Sequence, residues 1–224
     1  MPSAFGKKAV ASQSYVASYF GLKVLEQGGN AFDAAVAMSA VLSVVLPHTS
    51  GLGGDAFLMA KTPEGLVAYN ASGFSPKNLF AREIRGPRDP NSVVVPGLVD
   101  LWRWMERKFM SMSLEDALRP AIKLATEGFT VGRALRNAVV NAKDMPESWR
   151  KVYGNLELGQ RVKLREMGEV LKTVARNPDD FYKGDIAREL VDGLKEHGVP
   201  MDYSDFAEFS GFEVKPITAN YKDF

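Results

Sequence analysis

The sequence predicts an α+β protein in which helix predominates, on three observations. The run Ala34–Leu46 is alanine-rich and carries no charge, so as a helix it is buried on every side. A loop follows with three glycines in four positions, Gly51, Gly53 and Gly54, and it leads into an apolar stretch of strand character. The rest of the chain reads mainly as helices with capping residues at their starts, and only short segments suit strands.

In chain order, Ala9–Ser12 is expected as a short strand, and a helix is expected from about Ser14 to Gln27. Its inward stripe at helical spacing is Val16, Tyr19, Phe20, Val24 and Leu25. Gly28-Gly29 closes it, and Asn30 caps the central helix, with Asp33 completing a capping-box-like pair. A membrane span is excluded, because the uncharged run stops at Pro47, well short of the roughly 20 residues a bilayer core requires. Ala56–Ala60 and Leu66–Tyr69 form a hairpin across the turn Lys61–Gly65.

After a polar connection, Arg85–Ser92, a helix runs from Leu98 to about Phe109, and its Trp102, Trp104 and Met105 suit core packing better than a stacking platform. Ser113 caps the next helix with Asp116 as capping acid; Pro120 begins or kinks a further turn, and Gly128 ends it. Gly132–Lys143 is helical, Trp149–Val162 reads as loop with a turn at Gly154-Asn155, and Glu166–Arg176 is helical. Asp179 and Asp180 could suggest a paired-carboxylate metal or acid–base site. Beside Pro178, at a helix start, they suit capping better. A helix then runs through Leu194 to Gly198, followed by a short helical piece over Asp205–Glu213 and a strand at Ile217–Tyr221.

Composition narrows the functional classes. With 28 basic and 27 acidic residues, the net charge of +1 gives no general pull towards nucleic acid or a membrane surface. There is no cysteine, which removes disulfides, thiolate metal sites and a cysteine nucleophile, and two histidines are too few for a histidine-rich metal site. No cofactor and no metal are expected. Met1–Lys8 lacks the apolar run of a signal peptide, so a cytoplasmic protein is expected. The glycine loop has no Lys-Ser/Thr and runs helix-to-strand, the reverse of a phosphate-binding P-loop. His48, Ser50 and Asp55 superficially suggest a catalytic triad, but neighbours along a loop rarely meet its geometry.

Two stretches, Gln27–Ala35 and Pro47–Phe57, together resemble the large subunit of the γ-glutamyltransferase family, whose members are N-terminal-nucleophile hydrolases made as self-cleaving precursors. Pro120–Phe129 and Asp179–Ala187 match the same family, and Val93–Gly97 resembles its Pro-Gly stretch before a helix. The resemblance implies an αββα sandwich, of which residues 1–224 would be a single helix-rich large-subunit region, incomplete without a small subunit. It also implies that the nucleophilic threonine and the oxyanion-hole glycines lie on that small subunit, so no catalytic residue is expected in this chain.

Substrate contact is expected at Ser72, Gly73 and Phe74. In true transferases of the family an Arg-Glu pair precedes Ala-Pro here, and its arginine grips the α-carboxylate of the glutamyl group. Aligning on Pro76 puts Ser72 and Gly73 at that pair, and a hydroxyl cannot replace a bidentate guanidinium. The segment is closer to the γ-glutamyltransferase-like branch, which often reads Ser-Gly-Arg-Ala-Pro, although Phe74 stands at the arginine. Arg82 and Arg85 lie nearby in sequence but suit surface positions. The expected substrate is a small γ-glutamyl amide or another acyl amide; the remaining alternative is a non-catalytic interaction domain.

Overall fold

The structure is a computed structural model that describes residues 6–80, 83–86, 88–143 and 145–220. The elements are α1 (Tyr15–Glu26), α2 (Ala31–Val45), β1 (Ala56–Thr62), β2 (Gly65–Ala71), α3 (Leu98–Lys108), α4 (Leu114–Glu127), β3 (Phe129–Thr130), α5 (Arg133–Asn141), α6 (Glu147–Tyr153), β4 (Arg161–Val162), α7 (Arg165–Arg176), α8 (Asp180–Lys183), α9 (Asp185–Glu196), α10 (Tyr203–Ala207) and β5 (Phe212–Val214), with a 3-10 turn at Pro90–Ser92. The chain divides into two compact units. One comprises the described residues of Met1–Leu52 and Met105–Asn177, the other those of Gly53–Trp104 and Pro178–Phe224. No helix among the described residues is long and apolar enough to cross a membrane.

The first unit is helical, with α2 packed on α1 and α4, and α4 packed on α7. The Asn30 side chain accepts hydrogen bonds from the Phe32 and Asp33 amides, and Asp33 accepts from the Asn30 amide at 2.7 Å, which is the capping box read from the sequence. Beyond Ala31 no residue of α2 is exposed. Val24 and Leu25 of α1 are buried as expected, but the rest of its inward face is Ala17 and Gly21 rather than Val16, Tyr19 and Phe20. Tyr19 is 53% exposed. The cause is close packing: a Cβ on Gly21 would stand 2.6 Å from the Met38 side chain, so α1 turns its small residues towards α2.

Two further expectations are corrected in this unit. Ala9–Ser12 forms no strand; the Ser12 hydroxyl instead bonds the Ser14 carbonyl and the Ser18 hydroxyl at the start of α1. The start of the stretch Trp149–Val162, expected as loop, belongs to α6 (Glu147–Tyr153), supported by Glu147 in its first turn and a Trp149–Tyr153 ring contact at 5.6 Å across one helical turn. Pro120 sits inside α4, which runs on to Glu127 before Gly128 ends it. Ser113 caps α4 by accepting a hydrogen bond from the Asp116 amide, while the Asp116 carboxylate accepts one from the Ser113 hydroxyl instead of reaching back to the backbone. A short antiparallel ladder pairs β3 with β4.

The second unit holds a three-stranded antiparallel sheet in the order β1-β2-β5. Its hairpin is longer than expected. Thr62 pairs with Gly65, leaving only Pro63-Glu64 as the turn, and the Thr62 hydroxyl fastens the end by donating to the Gly65 carbonyl at 3.1 Å. The last strand is Phe212–Val214, not Ile217–Tyr221; residues 217–220 form no strand, and Tyr221 lies outside the described residues. A free edge of β2 selects the strand, and apolar content alone does not. Around the sheet, α8 packs on α9 and α10 packs on both. Trp102 and Trp104 are buried, with Trp104 stacked on Tyr69 at 4.3 Å, so the tryptophans are core residues. Asp180 accepts from the Ile186 amide at the start of α9, whereas Asp179 forms an ion pair with Arg103.

Candidate functional site

The segment Ser72–Phe74 leaves the end of β2 as irregular backbone and is held from both sides within the second unit. The Asn70 side chain accepts from the Ser72 amide at 2.8 Å, and Asp55, at the end of the glycine loop, accepts from the Gly73 amide at 3.1 Å. The Phe74 carbonyl accepts from the Val95 amide at 3.0 Å. Gly54 contributes its carbonyl, which takes the amides of Gly97 and Leu98 at 3.0 and 3.1 Å. Three segments far apart in sequence thus meet: the glycine-loop end, the Ser72–Phe74 turn, and the Val93–Gly97 stretch before α3.

Two glycines permit this. A Cβ on Gly73 would overlap the Val95 carbonyl, and one on Gly97 would overlap the Ala71 carbonyl, so any side chain at either position forces the backbones apart. Downstream, the Lys77 amide donates to Asp205 at 3.0 Å and its ammonium pairs with Glu208 at 2.6 Å, fixing the segment to α10.

The side chains at the turn are of mixed character. Phe74 is about half exposed and stacks parallel to Phe212 at 6.4 Å, with Phe209 edge-on at 5.6 Å. The Ser72 hydroxyl makes no hydrogen bond among the described residues, and the Asp55 side chain is exposed. The turn therefore offers a hydroxyl, a carboxylate and an aromatic face, and no guanidinium of its own. Arg85 is an exposed residue paired with Glu83 at 2.9 Å, in keeping with a surface role, and Arg82 lies outside the described residues. The triad suggested by the loop does not form: the Ser50 hydroxyl bonds Ser43 at 3.4 Å, and no Ser–His hydrogen bond is present among the described residues. Burial lowers the His48 pKa from its usual value.

Behind the turn lies a buried polar cluster that sequence reasoning missed. Asp100 is fully buried in the first turn of α3 and accepts from the Tyr69 hydroxyl at 2.7 Å, from the Gly211 amide at 2.8 Å and from Arg103. Tyr182 accepts from the Asp100 amide at 2.9 Å and donates to the Pro96 carbonyl at 2.8 Å, which fixes the stretch that carries Gly97. Burial, followed by the hydrogen bond to Asp100, raises the Tyr69 pKa well above the phenol range; burial and the Asp100 charge do the same for Tyr182. The one signal in the sequence was an acid and a base three residues apart in an otherwise apolar helix start, Asp100 and Arg103.

Comparison with known proteins matches this arrangement to a family. Residues 17–224 match the gamma-glutamyltranspeptidase family. The chain is 32% identical over 247 aligned positions to the glutathione hydrolase-like YwrD proenzyme of Bacillus subtilis (strain 168), covering 97% of this chain and 45% of that protein. It is 28% identical to the glutathione hydrolase proenzyme of Escherichia coli (strain K12), over 96% of this chain and 40% of that protein. A further relative, at 27%, is the oxamate amidohydrolase proenzyme of Klebsiella pneumoniae, with 90% or more of this chain again covered (93%) and 43% of that protein. The chain thus spans less than half the length of these relatives. Among solved structures, the gamma-glutamyltranspeptidase of Helicobacter pylori superposes with a TM-score of 0.88 at 26% identity, covering 100% of this chain and 70% of that one. The fold is accordingly the helix-rich N-terminal portion of the α+β, N-terminal-nucleophile hydrolase architecture, and the chain belongs to the gamma-glutamyltranspeptidase family.

Proposed function

We propose that this chain is the large-subunit portion of a γ-glutamyltransferase-like enzyme that cleaves or transfers an amide-linked acyl group, with γ-glutamyl as the default. The observation that supports the reading is the junction of the Gly53–Asp55, Ser72–Phe74 and Val93–Gly97 segments by hydrogen bonds of the backbone and of the Asp55 side chain. Ser72, Gly73 and Phe74 form one wall of the substrate pocket in this reading. A small subunit supplies the threonine, whose free α-amino group takes the proton from its own hydroxyl. The hydroxyl attacks the amide carbonyl, backbone donors stabilise the oxyanion, and water or an amine resolves the acyl-enzyme. A partner is also supported by the sheet. By the register of the strands, the exposed side chains Phe57, Met59, Leu66 and Phe212 share one face, an apolar surface suited to being covered.

A second reading, an amidase for a non-glutamyl acyl group, is favoured by one observation. Ser72 stands where the true transferases align their carboxylate-gripping arginine, and where the γ-glutamyltransferase-like branch often has an arginine, Phe74 presents a ring stacked on Phe212. Co-expression with the adjacent downstream reading frame, followed by a γ-glutamyl-p-nitroanilide assay, separates the readings. Co-purification with turnover of that anilide supports the first, and turnover only of other amides supports the second. A stable, inert monomer sinks both. Ser72→Arg, which puts a guanidinium where the true transferases align theirs, is expected to raise γ-glutamyl turnover by about tenfold, the value of one added charge-assisted contact of roughly 1.4 kcal/mol.

A further inference from the structure

The first unit contains a cavity of about 640 Å³ that the reading above does not use. Two helices begin at its wall: α1, at Ser14 and Tyr15, and α5, at Gly132 and Arg133. Neither helix has a side-chain cap hydrogen bond or an acidic residue in its first turn. Every other helix of eight residues or more among those described carries an acid there: Asp33 in α2, Asp100 in α3, Glu115 and Asp116 in α4, Glu166 in α7 and Asp185 in α9. First-turn amides without partners, at the positive end of the helix dipole, favour an anion.

Side chains at the cavity give independent support for a ligand. Ser14 lines it and is 9% exposed, yet its hydroxyl has no hydrogen-bond partner among the described residues. A ligand oxygen at the cavity wall would give this hydroxyl a partner. Lys123, Arg133 and Arg161 also line the cavity, against a single carboxylate, Glu127. Arg161 donates only to the Glu127 carbonyl, at 3.1 and 3.3 Å, Lys123 stands 3.8 Å from the Glu127 carboxylate, and Arg133 has no ion pair among the described residues. The remaining wall is largely aromatic and aliphatic, Tyr19 and Phe20 included.

We propose that this cavity binds a small organic anion, with its charged head at Ser14 and Arg133 between the starts of α1 and α5 and its apolar body against Tyr19 and Phe20. The head is a phosphate or a carboxylate, since both accept from backbone amides, a hydroxyl and a guanidinium. The site is built from residues of the first unit and does not depend on the acyl-transfer reading.

Isothermal titration of the 224-residue chain with phenyl phosphate, phenylacetate and inorganic phosphate tests the proposal. Saturable binding of phenyl phosphate or phenylacetate, tighter than that of inorganic phosphate, is expected, and the tighter of the two names the head group. Arg133→Glu should weaken that binding by at least about tenfold and Ser14→Ala by about threefold or more, the scale of a lost charge-assisted hydrogen bond. Arg150→Glu, an exposed change outside the cavity, should leave it unaltered. Circular dichroism confirms that each variant is folded. Absence of saturable binding by both aromatic anions, or equal weakening by Arg133→Glu and Arg150→Glu, overturns the proposal.

Discussion

Each unit buries one aspartate completely, and the two are satisfied in different ways. Asp33, in the first unit, has only uncharged partners: the Asn30 amide at 2.7 Å, the Ser111 amide and hydroxyl at 3.0 and 2.5 Å, and the Met112 amide at 3.1 Å. Asp100, in the second unit, is paired with the Arg103 guanidinium and adds a phenol and one amide. Both join segments distant in sequence. Asp33, however, neutralises its burial cost with oriented backbone dipoles and the α2 N-terminus, whereas Asp100 relies on a cation that is itself shared with Asp179. The first arrangement cannot be undone by changing one partner side chain, and the second can.

The largest effect is therefore expected at Asp100. Asp100→Ala leaves Arg103 with the exposed Asp179 alone and strands the Tyr69 hydroxyl and Gly211 amide, a loss of about 3–5 kcal/mol by urea denaturation. Combining it with Arg103→Met should cost at least about 1 kcal/mol less than the sum of the two single changes, because each alone leaves the other's charge behind. Strict additivity would show that the two charges do not interact. Asp33→Ala comes next, at about 2–4 kcal/mol, from stranded amides. No single side-chain change at Ser111 or Met112 should rescue it, since the lost donors there are mainly backbone.

Alkaline pH should separate the units further. The folded-state pKa values of Tyr69 and Tyr182 lie above the ordinary 10.0, so their contribution is complete below pH 10 and is lost as the pH rises towards the folded values. In a Trp149→Phe background the remaining tryptophans, Trp102 and Trp104, report on the second unit. Their fluorescence-detected Tm is expected to fall between pH 10 and 11, and Tyr69→Phe should flatten that slope. A slope unchanged in Tyr69→Phe would assign the loss to other groups. The smallest effect belongs to a purely local cap in the first unit: Ser113→Ala should cost about 1 kcal/mol in thermal denaturation.

The comparison also explains what was legible in advance. Asn30 and Asp33 stand three residues apart before an apolar run, so the cap is written in local sequence; the contacts of Asp33 with Ser111 and Met112 are not, because they depend on how α2 packs. The Asp100 cluster carries little local pattern, since its partners at positions 69, 182 and 211 come together only when the sheet and helices assemble. At the candidate site the motifs were readable singly. What could not be read was their junction through Asp55, Gly54 and Val95, which is made mostly by backbone atoms that leave no residue-type signature.

Sequence by itself determined the caps of α2 and α4, the apolar central helix, the presence of the hairpin, the family, and the absence of an arginine at Ser72-Gly73-Phe74. Each depends on residue type at short range, through capping, periodicity or side-chain chemistry. Tertiary structure decided which face of α1 is buried, where the third strand lies, that residues 147–153 are helical, and which groups hydrogen-bond the two interior aspartates. Those outcomes turn on which surfaces compete for the same space and which hydrogen-bonding groups are left to be paired, and both are fixed only when distant segments pack.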